Sequence, residues 1–135
     1  YAEELIDKSI LDAIRAHRVF ATSGSKMIVE SRVNGEFMGT ESTSNGDSAE
    51  LELKVIGTSP IVEATLVRSG KLIKTFTGDG SHSLNIQHID RGLAKGTYWY
   101  YWRITQEGIS PPYRGNAKVA RGNLAWSSPA WLIVE

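Results

Sequence analysis

The chain contains no cysteine, which excludes a disulfide framework, a thiolate nucleophile and any Cys-ligated metal. It also lacks a net charge, since 15 basic residues balance 15 acidic ones, and so no global field favours nucleic acid or an anionic membrane surface as a partner. No apolar run reaches the roughly 18 residues that a membrane-spanning helix requires. A basic amino-terminal region is missing too: Glu3, Glu4 and Asp7 stand where a signal peptide would carry lysine or arginine. The first residue is Tyr1 rather than methionine, and the expectation is a segment cut from a longer protein. At 135 residues there is chain enough for one core and too little for two independent ones.

Aromatic side chains, by contrast, are concentrated in one place. The stretch Gly96 to Gln106, GTYWYYWRITQ, holds three tyrosines and two tryptophans in five consecutive positions. Aromatic and β-branched residues favour a pleated, half-buried backbone whose side chains alternate between faces. One face of this strand carries Tyr98, Tyr100, Trp102 and Ile104, and the other carries Trp99, Tyr101, Arg103 and Thr105. Only the first is apolar to its end, which assigns it to the core. Trp99 and Tyr101 then face outward, where two large aromatics call for a cover or a partner.

Before this strand the period of the apolar residues changes once. Residues 2 to 18 place Ile6, Ile10, Ala13 and Ile14 at helical spacing, flanked by Leu5 and Leu11, which predicts one amphipathic helix with a buried face. Asp7 or Ser9 is a candidate cap, and Arg15, His17 and Arg18 suit the carboxyl end of the helix dipole. From Val19 onward the period is two. Lys26 to Asn34 predicts a strand closed by the turn dipeptide Asn34-Gly35. Residues 39 to 49 are polar and loop-like, and Leu51, Leu53 and Val55 then alternate with Glu50, Glu52 and Lys54 in a half-buried strand. IVEATLVR and KLIKTFT flank a hairpin turn at Ser69-Gly70, and SLNIQHI sets Leu84, Ile86 and His88 on one face. After the aromatic strand comes a long loop, residues 107 to 123. The last strand, LAWSSPAWLIVE, contains Pro129, which places it at an edge or bulges it.

Seven strands at this spacing predict a mainly β fold, an immunoglobulin-like antiparallel β-sandwich with one amino-terminal helix. Asp90 to Leu93 followed by Gly96-Thr97-Tyr98 supports that architecture, because it matches the corner before the sixth strand of immunoglobulin-like domains, where a tyrosine returns to the backbone. Tyr98 is then the corner tyrosine. Tyr100 occupies the position at which antibody domains place a cysteine.

Little here has the pattern of a reaction centre. His82 and His88, flanked by Asp79 and Asp90, make a loose cluster without the spacing of metal ligands, and the carboxylates fall in expected turns. Serine is plentiful, but no Gly-x-Ser-x-Gly elbow exists. Thr22 to Ser25 would cradle phosphate only if a helix followed, and a strand follows. No catalytic, cofactor or metal residue is therefore expected. The candidate interaction surface is Trp99, Tyr101 and Arg103, with Tyr113 and Arg114 of the basic loop beside them. Such aromatics either stack on a carbohydrate or polymer, or lie beneath the helix or a neighbouring domain.

The motif Asp12 to Gly24, DAIRAHRVFATSG, followed by an extended segment and by Asn34 to Gly39, resembles the carboxyl-terminal part of PHP-like proteins. These form the polymerase-and-histidinol-phosphatase superfamily of metallo-phosphoesterases, here in a branch of unknown function. Tyr101 to Gln106 and Ala125 to Trp131 resemble the closing pattern of the same branch. The resemblance implies that residues 1–24 are the end of a preceding catalytic domain and residues 25–135 an accessory β-sandwich. It implies that the partner of this region is the parent's own catalytic domain. The family's metal ligands lie upstream of this region, and no residue here matches them.

Overall fold

The computed structural model describes residues 1–108 and 123–135. Helix α1 (Asp7–Arg15) is followed by β1 (Phe20–Thr22), β2 (Ile28–Val33), β3 (Glu36–Phe37), β4 (Glu41–Ser44), β5 (Ser48–Ile56), β6 (Ile61–Arg68), β7 (Lys71–Thr77), β8 (Ser83–Arg91), β9 (Gly96–Gln106), β10 (Leu124–Ser127) and β11 (Ala130–Val134). β9 is the centre of the larger sheet: β6 pairs along one side of it, with β7 beyond, and β10 and β11 pair in succession along the other. β1 then adds to β10, and β4 adds to β11 in parallel. The smaller sheet runs β3-β2-β5-β8, antiparallel throughout.

The two-residue turns that set these registers were legible in the sequence. Asn34 and Gly35 both have positive φ, 50° and 82°, and Ser69 and Gly70 repeat the pattern at 48° and 80°. That conformation matches the right-handed twist of the flanking strands, and asparagine and glycine adopt it at least cost.

The core fills the space between the sheets. Val29, Val33, Ala49, Leu51, Leu53, Val55 and Ile86 come from the smaller sheet, and Ala64, Leu66, Tyr100, Trp102, Ile104, Ala125, Ala130, Leu132 and Val134 from the larger. The face assignment in β9 is correct: Tyr100, Trp102 and Ile104 are buried, whereas Trp99 and Arg103 are exposed. The tyrosine corner is present as well, with the Tyr98 hydroxyl donating to the Ala94 carbonyl at 2.9 Å. The chain is an immunoglobulin-like antiparallel β-sandwich, with one helix among the described residues.

Three details differ from the sequence expectation. Among the described residues the strands number eleven rather than seven. β1, β3 and β4 are short, and the final strand is interrupted at Ser128-Pro129, which lets β10 and β11 pair with separate parts of β9. β4 lies inside the stretch expected to be a loop; its residues, ESTS, are polar because the strand is held at an edge by backbone pairing with Trp131–Val134 rather than by burial.

The helix is shorter than residues 2–18, and neither Asp7 nor Ser9 caps it. Ile6 occupies the cap position with no side-chain hydrogen bond, because the Ser9 hydroxyl is taken by the Glu3 and Glu4 amides, each at 3.1 Å. At the other end His17, with φ of 53°, closes the helix: its amide donates to Ile14 and that of Arg18 to Ala13, the paired bonds of a Schellman motif.

The third correction concerns the apolar stripe of α1, which was expected to be buried. Ala13 alone is buried, while Ile6, Ile10 and Ile14 remain 51%, 37% and 53% exposed and Leu5 is exposed also. The sandwich closes its core with its own two sheets, and the core needs no helix to complete it. α1 is anchored by its end. The Ala16 and His17 carbonyls lie so close to Gly39 that a Cβ there would collide with both, and Gly39 has φ of 94°.

Candidate functional site

Alternation along β9 and its neighbours builds an outward aromatic face. Trp99 lies directly opposite Trp131 of β11, and Arg103 opposite Trp126 of β10. On the other side of β9, Val67 is opposite Tyr101. Trp99 is 40% exposed, and Tyr101, Trp126 and Trp131 are half-buried. Just past the end of α1, the His17 ring centroid stands 5.9 Å from that of Trp131 on this face. Of the expected interaction residues, the structure thus brings Trp99, Tyr101 and Arg103 onto one face of one strand. Tyr113 and Arg114 lie outside the described residues. Trp131 and His17 join this face through non-local pairing, and only the alternation in the last strand hinted at Trp131. Chemically, the face offers indole and phenol rings suited to packing on a protein surface or on the apolar side of a sugar ring.

The second exposed surface is the stripe of α1, Leu5, Ile6, Ile10 and Ile14, with Leu11 beside it. Its opposite flank is charged: Asp12 pairs with Lys8 at 2.9 Å and with Arg15 at 3.4 Å. These exposed i, i+4 and i, i+3 pairs support the helix locally and contribute little more.

Asp90, which the sequence placed beside two histidines, has a different role. Its Oδ2 accepts from the Tyr100 hydroxyl at 2.9 Å and from the Arg68 guanidinium at 2.8 Å. β8 thereby binds to β9 and β6 of the opposite sheet. Burial, and then the hydrogen bond and charge of Asp90, push the Tyr100 phenol well above its ordinary range. The Arg68 guanidinium is also raised, the Asp90 charge and hydrogen bond outweighing its desolvation, and it lies 5.9 Å from the Tyr98 ring centroid. In a chain without cysteine, this polar cluster ties the two sheets together. Asp79 is engaged in its own turn, accepting from the Ser81 amide at 2.9 Å. The His88 imidazole, set edge-on to Phe76 with centroids 5.6 Å apart, is held below its ordinary range by burial and by Lys74. Among the described residues no three His, Asp or Glu side chains are grouped to hold a metal ion.

No protein-family model matches the chain. Over 140 residues it is 28% identical to an uncharacterized protein of Chlamydia muridarum, a match covering 92% of this chain and 20% of the relative. An uncharacterized protein of Chlamydia pneumoniae is 26% identical over 143 residues, covering 93% and 20% respectively. The chain therefore spans about a fifth of the length of the curated relatives it matches. Among solved structures it is similar to the CARDB domain of a Pyrococcus furiosus protein, with a TM-score of 0.50 at 16% identity over 83% of this chain and 98% of that one. That likeness is one of fold: both chains are mainly β, and this one is an immunoglobulin-like sandwich.

Proposed function

We propose that this chain is a noncatalytic accessory β-sandwich of a longer protein, joined to the preceding domain through the apolar face of α1. The observation that carries this reading is the open stripe of Ile6, Ile10 and Ile14, a face with helical periodicity that the sandwich leaves exposed. A helix of nine residues with one buried side chain gains little from its own sandwich, and isolated helices of this length are marginal in water. A second surface must cover the stripe to stabilise it. The relatives, about five times as long as the chain, provide the chain length for such a domain. The resemblance of Asp12 to Gly24 and of the closing segment to PHP-like proteins supports reading that domain as a metal-dependent phosphoesterase. The metal and the chemistry then belong to the preceding domain, while this sandwich packs on it and shapes the mouth of its site.

The test is Ile10→Glu combined with Ile14→Glu. In the isolated 135-residue chain, where both side chains already meet solvent, the denaturation midpoint is expected to change little, by no more than about 0.5 kcal/mol. In the longer protein the same pair is expected to lower the midpoint and the phosphoesterase turnover, since it buries two charges in the contact. Equal small effects in both would remove the basis of the proposal.

A further inference from the structure

The edges of the two sheets are not protected alike. An open strand edge offers unpaired amides and carbonyls to another chain, and proteins blunt it with short strands, lysine, proline or bulges. β1, β3 and β4 have three, two and four residues. β7 has seven, but it carries Lys71 and Lys74 and its pairing with β6 shifts register between Leu66 and Val67. β8 has none of these devices. It is nine residues long, contains neither proline nor lysine, and pairs with β5 from Ser83 to Arg91 without a register shift. Among the described residues, no strand pairs with its other side. Ile89, at this edge, is 41% exposed on the outer face.

From this we propose that β8 is a strand-addition surface whose occupant is β8 of a second copy, joining two four-stranded sheets into one across a two-fold axis. Two-fold antiparallel pairing must place one residue opposite its own copy, since a shift by one residue would turn the side chains to the wrong face. Centring on Gln87 uses the full strand: Asn85 then faces Ile89 of the second copy, Ser83 faces Arg91, Leu84 faces Asp90 and Ile86 faces His88. No like charges are opposed, which is the condition for stable cross-strand pairs. The formal charges of β8 are Asp90 and Arg91, at its end, so the middle of the junction is uncharged. The row flanking the axis is complementary. It starts at Lys54, paired with Asn85 in one copy, and ends at Glu50, paired with Ile89 in the other. A nine-residue backbone ladder supplies the affinity, as in other strand additions.

The absence of cysteine makes this directly testable. Opposed residues of an antiparallel pair lie about 4.5–5.5 Å apart, within disulfide reach. Gln87→Cys is expected to give a covalent dimer on mild oxidation, at least about tenfold faster than Leu72→Cys, an exposed position on β7. Sedimentation of the wild-type chain should show a concentration-dependent dimer, lost in Ile89→Lys while the far-ultraviolet circular dichroism and the denaturation midpoint are retained. A monomer at all concentrations up to about millimolar, corresponding to a contact weaker than about 4 kcal/mol, would overturn the proposal. So would Gln87→Cys cross-linking no faster than Leu72→Cys, or a dimer that survives Ile89→Lys and is lost in Ile10→Glu.

Discussion

Trp102→Ala is expected to lower the unfolding free energy by about 3–5 kcal/mol, the range for removing a large aromatic from a closed core. Trp102 is 2% exposed at the middle of β9, beside Leu66 of β6, with the Phe76 ring centroid 5.7 Å away. Its loss removes both the buried area and the contact across the open side of the sandwich. Phe76 in turn meets His88 of the opposite sheet, so the cavity would open at the seam between the sheets. Thr105→Ala, three residues along on the outer face and half-buried, is expected to cost less than about 1 kcal/mol. Equal shifts in the urea midpoint for the two variants would contradict the face assignment of the central strand.

Asp90→Ala has the next largest expected effect, a loss of about 2–4 kcal/mol. It leaves the Tyr100 hydroxyl and the Arg68 guanidinium without their acceptor inside the sandwich. The lower half of the range reflects the 31% exposure of the Arg68 side chain, which water compensates in part. Tyr100→Phe, which removes one donor and leaves the ion pair, should cost about 1–2 kcal/mol. The same cluster sets an alkaline limit. The folded-state pKa of Tyr100 is raised above the unfolded value of 10.0, so its contribution is fully present below pH 10 and is lost as pH rises through the folded pKa. Tyr1, pushed up to about 12 by burial and by Glu30, acts in the same window. Denaturation midpoints measured from pH 8 to 12 should therefore fall above about pH 10 in the wild type, and less steeply in Tyr100→Phe. Identical slopes would show that Tyr100 does not carry the effect.

How much of this was legible depended on whether the signal was local. The turns at Asn34-Gly35 and Ser69-Gly70, the alternation of Leu51, Leu53 and Val55, and the division of GTYWYYWRITQ into two faces all follow from spacing along the chain. The corner was legible because Tyr98 and Ala94 are four residues apart. β4 was not, since its pairing with β11 joins residues about 90 apart through backbone atoms that no side chain announces. Asp90 was noted beside His82 and His88, in a cluster without the spacing of metal ligands, and its structural role went unread. Its real partner, Arg68, arrives from another strand in the opposite sheet. The helix shows the converse failure: its periodicity marked an apolar face correctly, but periodicity cannot say what covers that face.

That cover is the central claim, and hydrogen–deuterium exchange of the α1 amides tests it most directly. In the isolated chain the helix, anchored at Ala13 and Gly39 and open along its stripe, should exchange within seconds, close to the limit for a fraying element. In the longer protein the amides of Ile10 to Arg15 are expected to be protected at least about a hundredfold more, the equivalent of about 2.7 kcal/mol of added local stability. Equal, fast exchange in both would show that nothing covers the stripe and would contradict a docking role for this helix.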